Sequence, residues 1–329
     1  MKEKQLLNKS HVILLLLFLN FCSTGPAEES DPLTELPPSE EFDAFFGTWS
    51  PDGSKILFQH SDLSGDIPKP QQLWVVDLEA GERNVVFDGP SLNADWSPDG
   101  NWIAFHTNAV PANIFKYNLG NRQLVKLTGN GSPNDPNDFR HTIEARWSPV
   151  GSDILFTTGS SDENRGVSLM NPDGTNAKII VPFGGGGNWF PEGDRIVYVN
   201  WDNEQPQGRR RQLFTANSDG TNPQKLTDLD NSDFVSSPAV SHDGQKIALL
   251  HRPPDQSTDV YIMDADGQNI ERIIKLGMRA VARNPQWHPF KNKLLFTVWI
   301  PNVSSRLYIM DLNSKEIEAV FPPKTDNEN

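Results

Sequence analysis

The stretch Asn93–Thr107, NADWSPDGNWIAFHT, packs an acid, a serine and a glycine into a tight turn between two tryptophans. Taken alone, such a turn could be a reactive site or a ligand loop. The same pattern recurs, however, as TWSPDGSKILFQH from Thr48 and RWSPVGSDILFTT from Arg146, with the tryptophans 47 residues before and 51 residues after Trp96. A site usually occurs once, whereas a series of copies is a fold.

On that frame the anchors are Trp49, Trp96, Trp147, Trp189, Val240 and Trp287, spaced by 47, 51, 42, 51 and 47 residues. A period of about 40 to 50 residues built only of short strands is that of a β-propeller blade. Each unit reads as four strands. A short strand A enters the turn, which is SPDG, SPDG, SPVG, FPEG, SHDG or HPFK, and an apolar strand B leaves it (KILF, WIAF, DILF, RIVY, KIAL, KLLF). Strand C follows a variable loop, and a second polar turn leads to strand D. The expected fold is therefore all-β, a six-bladed propeller of four-stranded antiparallel blades. Because each unit starts at strand A and ends at strand D, the ring is expected to close without a blade shared between the chain ends. Blade 5, with Val240, and blade 6, whose turn lacks the glycine, are the weakest copies.

Turn chemistry accounts for the repeated residues. Proline presets φ, aspartate and serine hydrogen-bond nearby backbone, and glycine takes φ > 0 freely. Asp52, Asp99 and Asp243 are accordingly read as turn residues, and the tryptophans as plates between blades.

The WSPDGxxIxF units, followed by LxxxDxDG-type segments, resemble the repeats of TolB-like propellers (TolB-type, WD40-like repeats), which also occur in the propeller domains of prolyl-oligopeptidase-type peptidases. The resemblance covers residues 43–323 and implies a fold far more than a function. It departs from full-length TolB in showing no N-terminal α/β domain. It departs from the peptidases in showing no hydrolase domain and no G-x-S-x-G nucleophile motif.

The ends read differently. Lys2, Lys4 and Lys9 precede the ten-residue apolar run Val12–Phe21, too short to span a bilayer, so residues 1–21 read as a bacterial export signal. LNFC resembles a lipoprotein lipobox that would lipidate Cys22, although Phe21 stands where a small residue is expected. Ordinary cleavage after Gly25-Pro26-Ala27 is the rival. Lipidation is preferred because the thiol, the only cysteine in the chain, is otherwise unexplained at that place. Residues 22–42, rich in Pro, Ser and Glu, read as a disordered tether, and residues 324–329 as a tail. The expected location is extracytoplasmic, in the bacterial periplasm or attached to the outer membrane.

The net charge of −14 disfavours nucleic acid and anionic membrane surfaces as partners, so any membrane contact is expected only through the lipid anchor. A monomer is expected.

Strands A and B run in opposite directions, so the A–B and C–D turns share one face and the D–A and B–C connections the other. Connections on the second face vary widely, and variable loops on a rigid scaffold are where specificity usually resides. His60, His106 and His251 fall near strand B ends on this face, and Arg140 and His141 in a D–A connection. Equivalent rim positions stand far apart around a ring, so no metal site and no cofactor are expected. Asp228, Asp230 and Ser232 resemble the start of a calcium loop but lack its glycine and its terminal glutamate, and read as a solvated loop. Gly184–Gly187 lack the helix a phosphate loop requires and read as backbone passing close to the channel. The basic run at Arg209–Arg211, with Trp201, Arg140, His141, Arg252 and Arg283, is expected to form a cationic, aromatic rim at the channel mouth that suits a peptide carboxylate or an acidic sugar.

Two functions follow as expectations. The first is a non-catalytic scaffold that binds an envelope protein or peptide. The alternative is a lyase, hydrolase or binding protein for acidic oligosaccharides, since some propellers with similar repeats cleave oligogalacturonides with a histidine-held metal.

Overall fold

The computed structural model describes residues 34–40, 42–61, 71–129, 139, 141–159, 165–202, 210–229, 233–254, 256–278, 280–301 and 304–322. They form six four-stranded antiparallel sheets, each made of strands consecutive in sequence. Blade 1 is β1 (Ala44–Trp49), β2 (Lys55–His60), β3 (Gln72–Asp77) and β4 (Arg83–Asp88). Blade 2 is β5 (Leu92–Trp96), β6 (Trp102–His106), β7 (Ile114–Asn118) and β8 (Leu124–Lys126). Blade 3 is β9 (Thr142–Trp147), β10 (Ile154–Thr158), β11 (Gly166–Met170) and β12 (Lys178–Pro182). Blade 4 is β13 (Gly185–Trp189), β14 (Arg195–Asp202), β15 (Arg210–Asn217) and β16 (Gln224–Lys225). Blade 5 is β17 (Phe234–Val240), β18 (Lys246–Arg252), β19 (Asp259–Asp264) and β20 (Glu271–Ile274). Blade 6 is β21 (Val281–Trp287), β22 (Lys293–Ile300), β23 (Ser304–Asp311) and β24 (Ile317–Ala319). Among the described residues no blade mixes strands from the two ends of the chain.

The core is divided into six clusters, and each lies between two consecutive blades. Strand alternation explains how one strand serves two seams, since successive side chains point to opposite faces. In β10, Ile154 and Phe156 pack against blade 2 residues such as Ile114, while Leu155 between them packs against Trp189 and Tyr198 of blade 4. In β18, Ile247 and Leu249 face blade 4 and Ala248 and Leu250 face blade 6. Strand B is apolar throughout because both of its faces are buried.

The tryptophans tie the seams. The indole N–H of Trp189 donates to the Arg146 carbonyl of blade 3 at 3.1 Å, and that of Trp287 to the Ala239 carbonyl of blade 5 at 3.0 Å. Trp49 donates to the Gln286 carbonyl at 3.4 Å, across the seam where blade 6 meets blade 1. That seam also holds Ala44, Ile56 and Phe58 of blade 1 against Leu295, Leu307 and Ile309 of blade 6.

Part of the stretch read as a tether runs from the end of blade 5 to this seam. Thr34 exchanges hydrogen bonds with Lys275, its amide donating to the Lys275 carbonyl and its hydroxyl accepting from the Lys275 amide. Leu36 packs on the cluster between blades 5 and 6, and the Glu40 amide donates to the Phe321 carbonyl. Phe42 then lies among Phe58, His60, Trp74 and Phe321. Apolar residues spaced along a polar segment supply the burial.

Every innermost strand carries a β-bulge three residues before its anchor. Phe46, Asn93, Glu144, Gly186, Ser237 and Asn284 all have left-handed φ, between 47° and 61°. Glycine takes this conformation freely, whereas an L-residue does so at a cost. Gly186 and Gly187, read from sequence as part of a loop, belong to the inner strand β13. A Cβ on Gly187 would come within 2.7 Å of Leu155 Cδ2, so the glycine lets blade 4 approach blade 3.

Candidate functional site

A cavity of about 1090 Å³ lies on the turn face between blades 1 and 2 and is lined by Asp52, Lys55, Asp77 and Asp99 among others. These four charges are held by local partners. Asp52 accepts from the Ser50 hydroxyl at 2.6 Å and the Ser54 amide at 3.0 Å, Asp99 from the Ser97 hydroxyl at 2.5 Å and the Asn101 amide at 3.0 Å, and Asp77 pairs with Lys55. These bonds hold the Asp52 carboxyl down at about 2, with the Ser50 hydroxyl as the main cause. The cavity is hairpin architecture.

The channel is different. Its waist carries hydrogen bonds in two groups that together touch all six blades. Arg146 donates to the Asn93 carbonyl at 3.5 Å, to the Ala145 carbonyl at 3.0 Å and across the channel to Asn284 Oδ1 at 3.4 Å. Asn284 Nδ2 donates to the Gly47 carbonyl at 3.1 Å and Asn188 Nδ2 to the Pro238 carbonyl at 3.2 Å. Asp95 stands behind Arg146, accepting from the Trp147 amide at 2.8 Å. Burial raises its carboxyl above the ordinary range, against the pull of Arg146.

Two adjoining cavities open from this waist toward the variable-loop face. One, about 360 Å³, is lined by Phe46, Glu144, Arg146, Phe234 and Arg283; the other, about 210 Å³, by Glu144, Thr157, Arg165, Phe183 and Arg211. They share Glu144, Gly186, Ser236 and Ser237 as a wall. Phe234 lies under two guanidinium groups, with Arg211 Cζ 4.6 Å and Arg252 Cζ 5.3 Å from its ring centre. Arg283 stacks on Trp299 at 4.8 Å.

The residues singled out in the sequence divide accordingly. Arg211, Arg252 and Arg283 stand at this mouth, although the aromatic partner of the first two is Phe234. Trp201 pairs with Arg211 in the β14–β15 register, and its side chain lies outside the described set. Arg140 and Cys22 lie outside the described residues, as do Asp230 and Ser232 of the acidic loop. The histidines serve separate local roles. His60 places Nδ1 2.6 Å from the Asp43 carbonyl and stacks on Phe42 at 4.2 Å. His106 accepts the Glu144 amide at Nδ1, 3.3 Å away, supporting the bulge. Burial first, then the charges of Arg146 and His141, push its imidazole down to about 4. His141 has a left-handed φ of 56°, and its carbonyl accepts the Gly159 amide. His251 meets Tyr261 edge-on, and burial lowers its imidazole although Asp233 lies 3.5 Å away. Among the described residues no three His, Cys, Asp or Glu side chains converge on a point.

Arg146, Arg165, Glu144 and Phe234 were missed from sequence. The signal available was positional, because Glu144 and Arg146 stand three and one residues before the anchor Trp147.

No family model matches the chain. A curated relative, an uncharacterized protein of Agrobacterium fabrum, is 25% identical over 177 residues, which is 48% of this chain; the match spans about half (55%) of that relative's length. Solved structures align over more. A TolB candidate from Agrobacterium tumefaciens superposes with a TM-score of 0.62 at 17% identity, over 75% of this chain and 86% of that one. TolB from Acinetobacter baumannii gives 0.54 at 23%, over 70% of this chain and 53% of that one. The propeller is TolB-like in fold. Oligogalacturonate lyase from Vibrio parahaemolyticus also superposes, at 0.55 and 15% identity over 83% of this chain and 79% of that one, so the TolB-like scaffold alone does not select a function.

Proposed function

We propose that this TolB-like propeller is a non-catalytic binding protein that holds a protein or peptide segment at the channel mouth on its variable-loop face. The carrying observation is the Arg211–Phe234–Arg252 stack beside the Arg283 cavity. Arginine and aromatic side chains are the usual anchors of protein interfaces. The export signal and the preferred lipidation of Cys22, both read from sequence, would put this face to work in the bacterial cell envelope.

Site-specific photo-crosslinking tests the reading. p-Benzoylphenylalanine replaces Phe234 on the loop face or Phe290 on the turn face, in the full chain expressed with its envelope. The expected outcome is a discrete polypeptide adduct from position 234 and none from position 290. Equal labelling from both positions, or adducts only to oligosaccharide, would overturn it.

A further inference from the structure

A chain with a net charge of −14 concentrates arginine at one end of its channel. The described charged residues lining the two loop-face cavities are Arg146, Arg165, Arg211 and Arg283 against the single carboxylate of Glu144. Arg146 is balanced by the buried Asp95 behind it. Arg283 has no comparable partner among the described residues: its Nε is buried without a hydrogen bond, and burial alone lowers the tendency of its guanidinium to hold charge. For Arg211, burial and the neighbouring Arg165 both oppose the charge, and Glu144 supports it. A buried donor left without an acceptor is costly, and an incoming acceptor would remove that cost.

The backbone shapes the same space. Phe46, Glu144 and Ser237 line the same cavities with φ of 49°, 57° and 51°, where residues other than glycine are strained. Gly186 shows that glycine is compatible with this position. Because the same conformation recurs in all six blades it belongs to the fold, and what differs here is the side chain it carries. Here the bulge turns an aromatic ring, a carboxylate and a hydroxyl toward one space.

We propose that the loop-face end of the channel is a carboxylate site, which takes the carboxylate of an extended peptide on the guanidinium group of Arg283, with that of Arg211 in the adjoining cavity as a second anchor. The inference rests on the binding function proposed above and names its ligand chemistry. Planar guanidinium groups receive a carboxylate through two parallel N–H···O bonds, and Trp299 and Phe234 hold the two planes in place. A peptide is taken as the source of the carboxylate because it follows from the proposed function and because Phe46, Phe234 and Val281 give the larger cavity an apolar side for its neighbouring residues.

The test uses the full chain and three N-terminally labelled degenerate hexapeptide pools. One pool ends in a free carboxylate and lacks Asp and Glu, the second is the same pool amidated, and the third is amidated with one internal Glu. Affinity capture is read by mass spectrometry, with digalacturonate as competitor. The expected result is retention of the first or third pool over the second by about tenfold or more, with the favoured pool separating a chain end from a side chain. R283Q and R211Q should each reduce that retention by about tenfold while the thermal midpoint stays near that of the parent; R211Q carries the test if R283Q does not fold. Equal retention of all three pools overturns the carboxylate site and leaves the peptide-binding function standing. Retention of none, together with no adduct at position 234, removes both. Digalacturonate binding without peptide retention overturns the peptide as the source of the carboxylate.

Discussion

At the scale of single residues, His106 couples the channel to pH. Its Nδ1 accepts the Glu144 amide, so the proton sits on Nε2 and the ring is neutral in the folded chain. The folded imidazole titrates at about 4, against 6.5 when unfolded. Between those values the unfolded chain binds a proton that the folded chain does not. Stability is therefore fully present above pH 6.5 and falls as the pH drops toward 4, by up to about 3 kcal/mol for this residue. His106→Gln keeps an acceptor for the Glu144 amide and removes the titration. Urea unfolding at pH 7.5 and pH 4.5 should show a stability difference smaller by about 2 to 3 kcal/mol in the variant than in the parent. The same pH dependence in both would assign the acid sensitivity elsewhere. His251 and His288, lowered in the same direction, continue to contribute in both chains.

At the scale of elements, the SPDG hairpin is a hydrogen-bonded unit. Asp99 takes the Ser97 hydroxyl and the Asn101 amide, and Ser97 Oγ takes the Trp102 amide at 2.9 Å, with the same arrangement at Asp52 and Asp243. Asp99→Ala should cost about 1 to 2 kcal/mol in urea unfolding and leave peptide retention unchanged, since the turn lies on the opposite face. A loss of retention with stability intact would contradict this assignment. Such turns were legible in the sequence because their chemistry requires particular residue types in every copy. Strand order and blade number followed from their spacing. The channel was not legible in that way, because what repeats there is a backbone conformation. Position −3 from the anchor is Phe46, Asn93, Glu144, Gly186, Ser237 or Asn284, six positions sharing a left-handed φ with little common side-chain chemistry. Arg211, Arg252 and Arg283 stood out as basic residues on the loop face of an acidic chain. Arg146 and Arg165 did not, since one lies inside a repeat motif and the other at the start of a strand. The local partners of the histidines were not legible either, because equivalent strand ends in different blades point to different seams, so like residues find unlike partners.

At the scale of the whole molecule, the seam between blades 6 and 1 sets the integrity of the ring. The other five seams join blades that are consecutive in the chain. The sixth lacks that connection and must be held by packing. The Thr34–Phe42 segment is placed to do this, crossing from Lys275 past Phe321 to blade 1. Arg83 of β4 clamps it, pairing with Glu40 at 3.0 Å and stacking its guanidinium 4.5 Å from Phe42 and 5.1 Å from Phe321. Asp43 then accepts the Ser305 amide of β23 at 2.8 Å. A segment read as a free tether thus closes the ring from outside, in place of a blade shared by the two chain ends. Phe42→Ala should cost about 2 to 3 kcal/mol, less than a fully buried phenylalanine because Phe42 is only half-buried. The location of the damage separates a latch from a generic packing residue. Hydrogen exchange should show protection lost in β1, β24 and residues 34–40, with β10 and β14 retaining theirs. Uniform loss across all six blades would mean that the ring unfolds as one unit and the segment has no local closing role. Loss confined to the sixth seam would show that a ring without a shared blade opens first where the chain does not connect its neighbours.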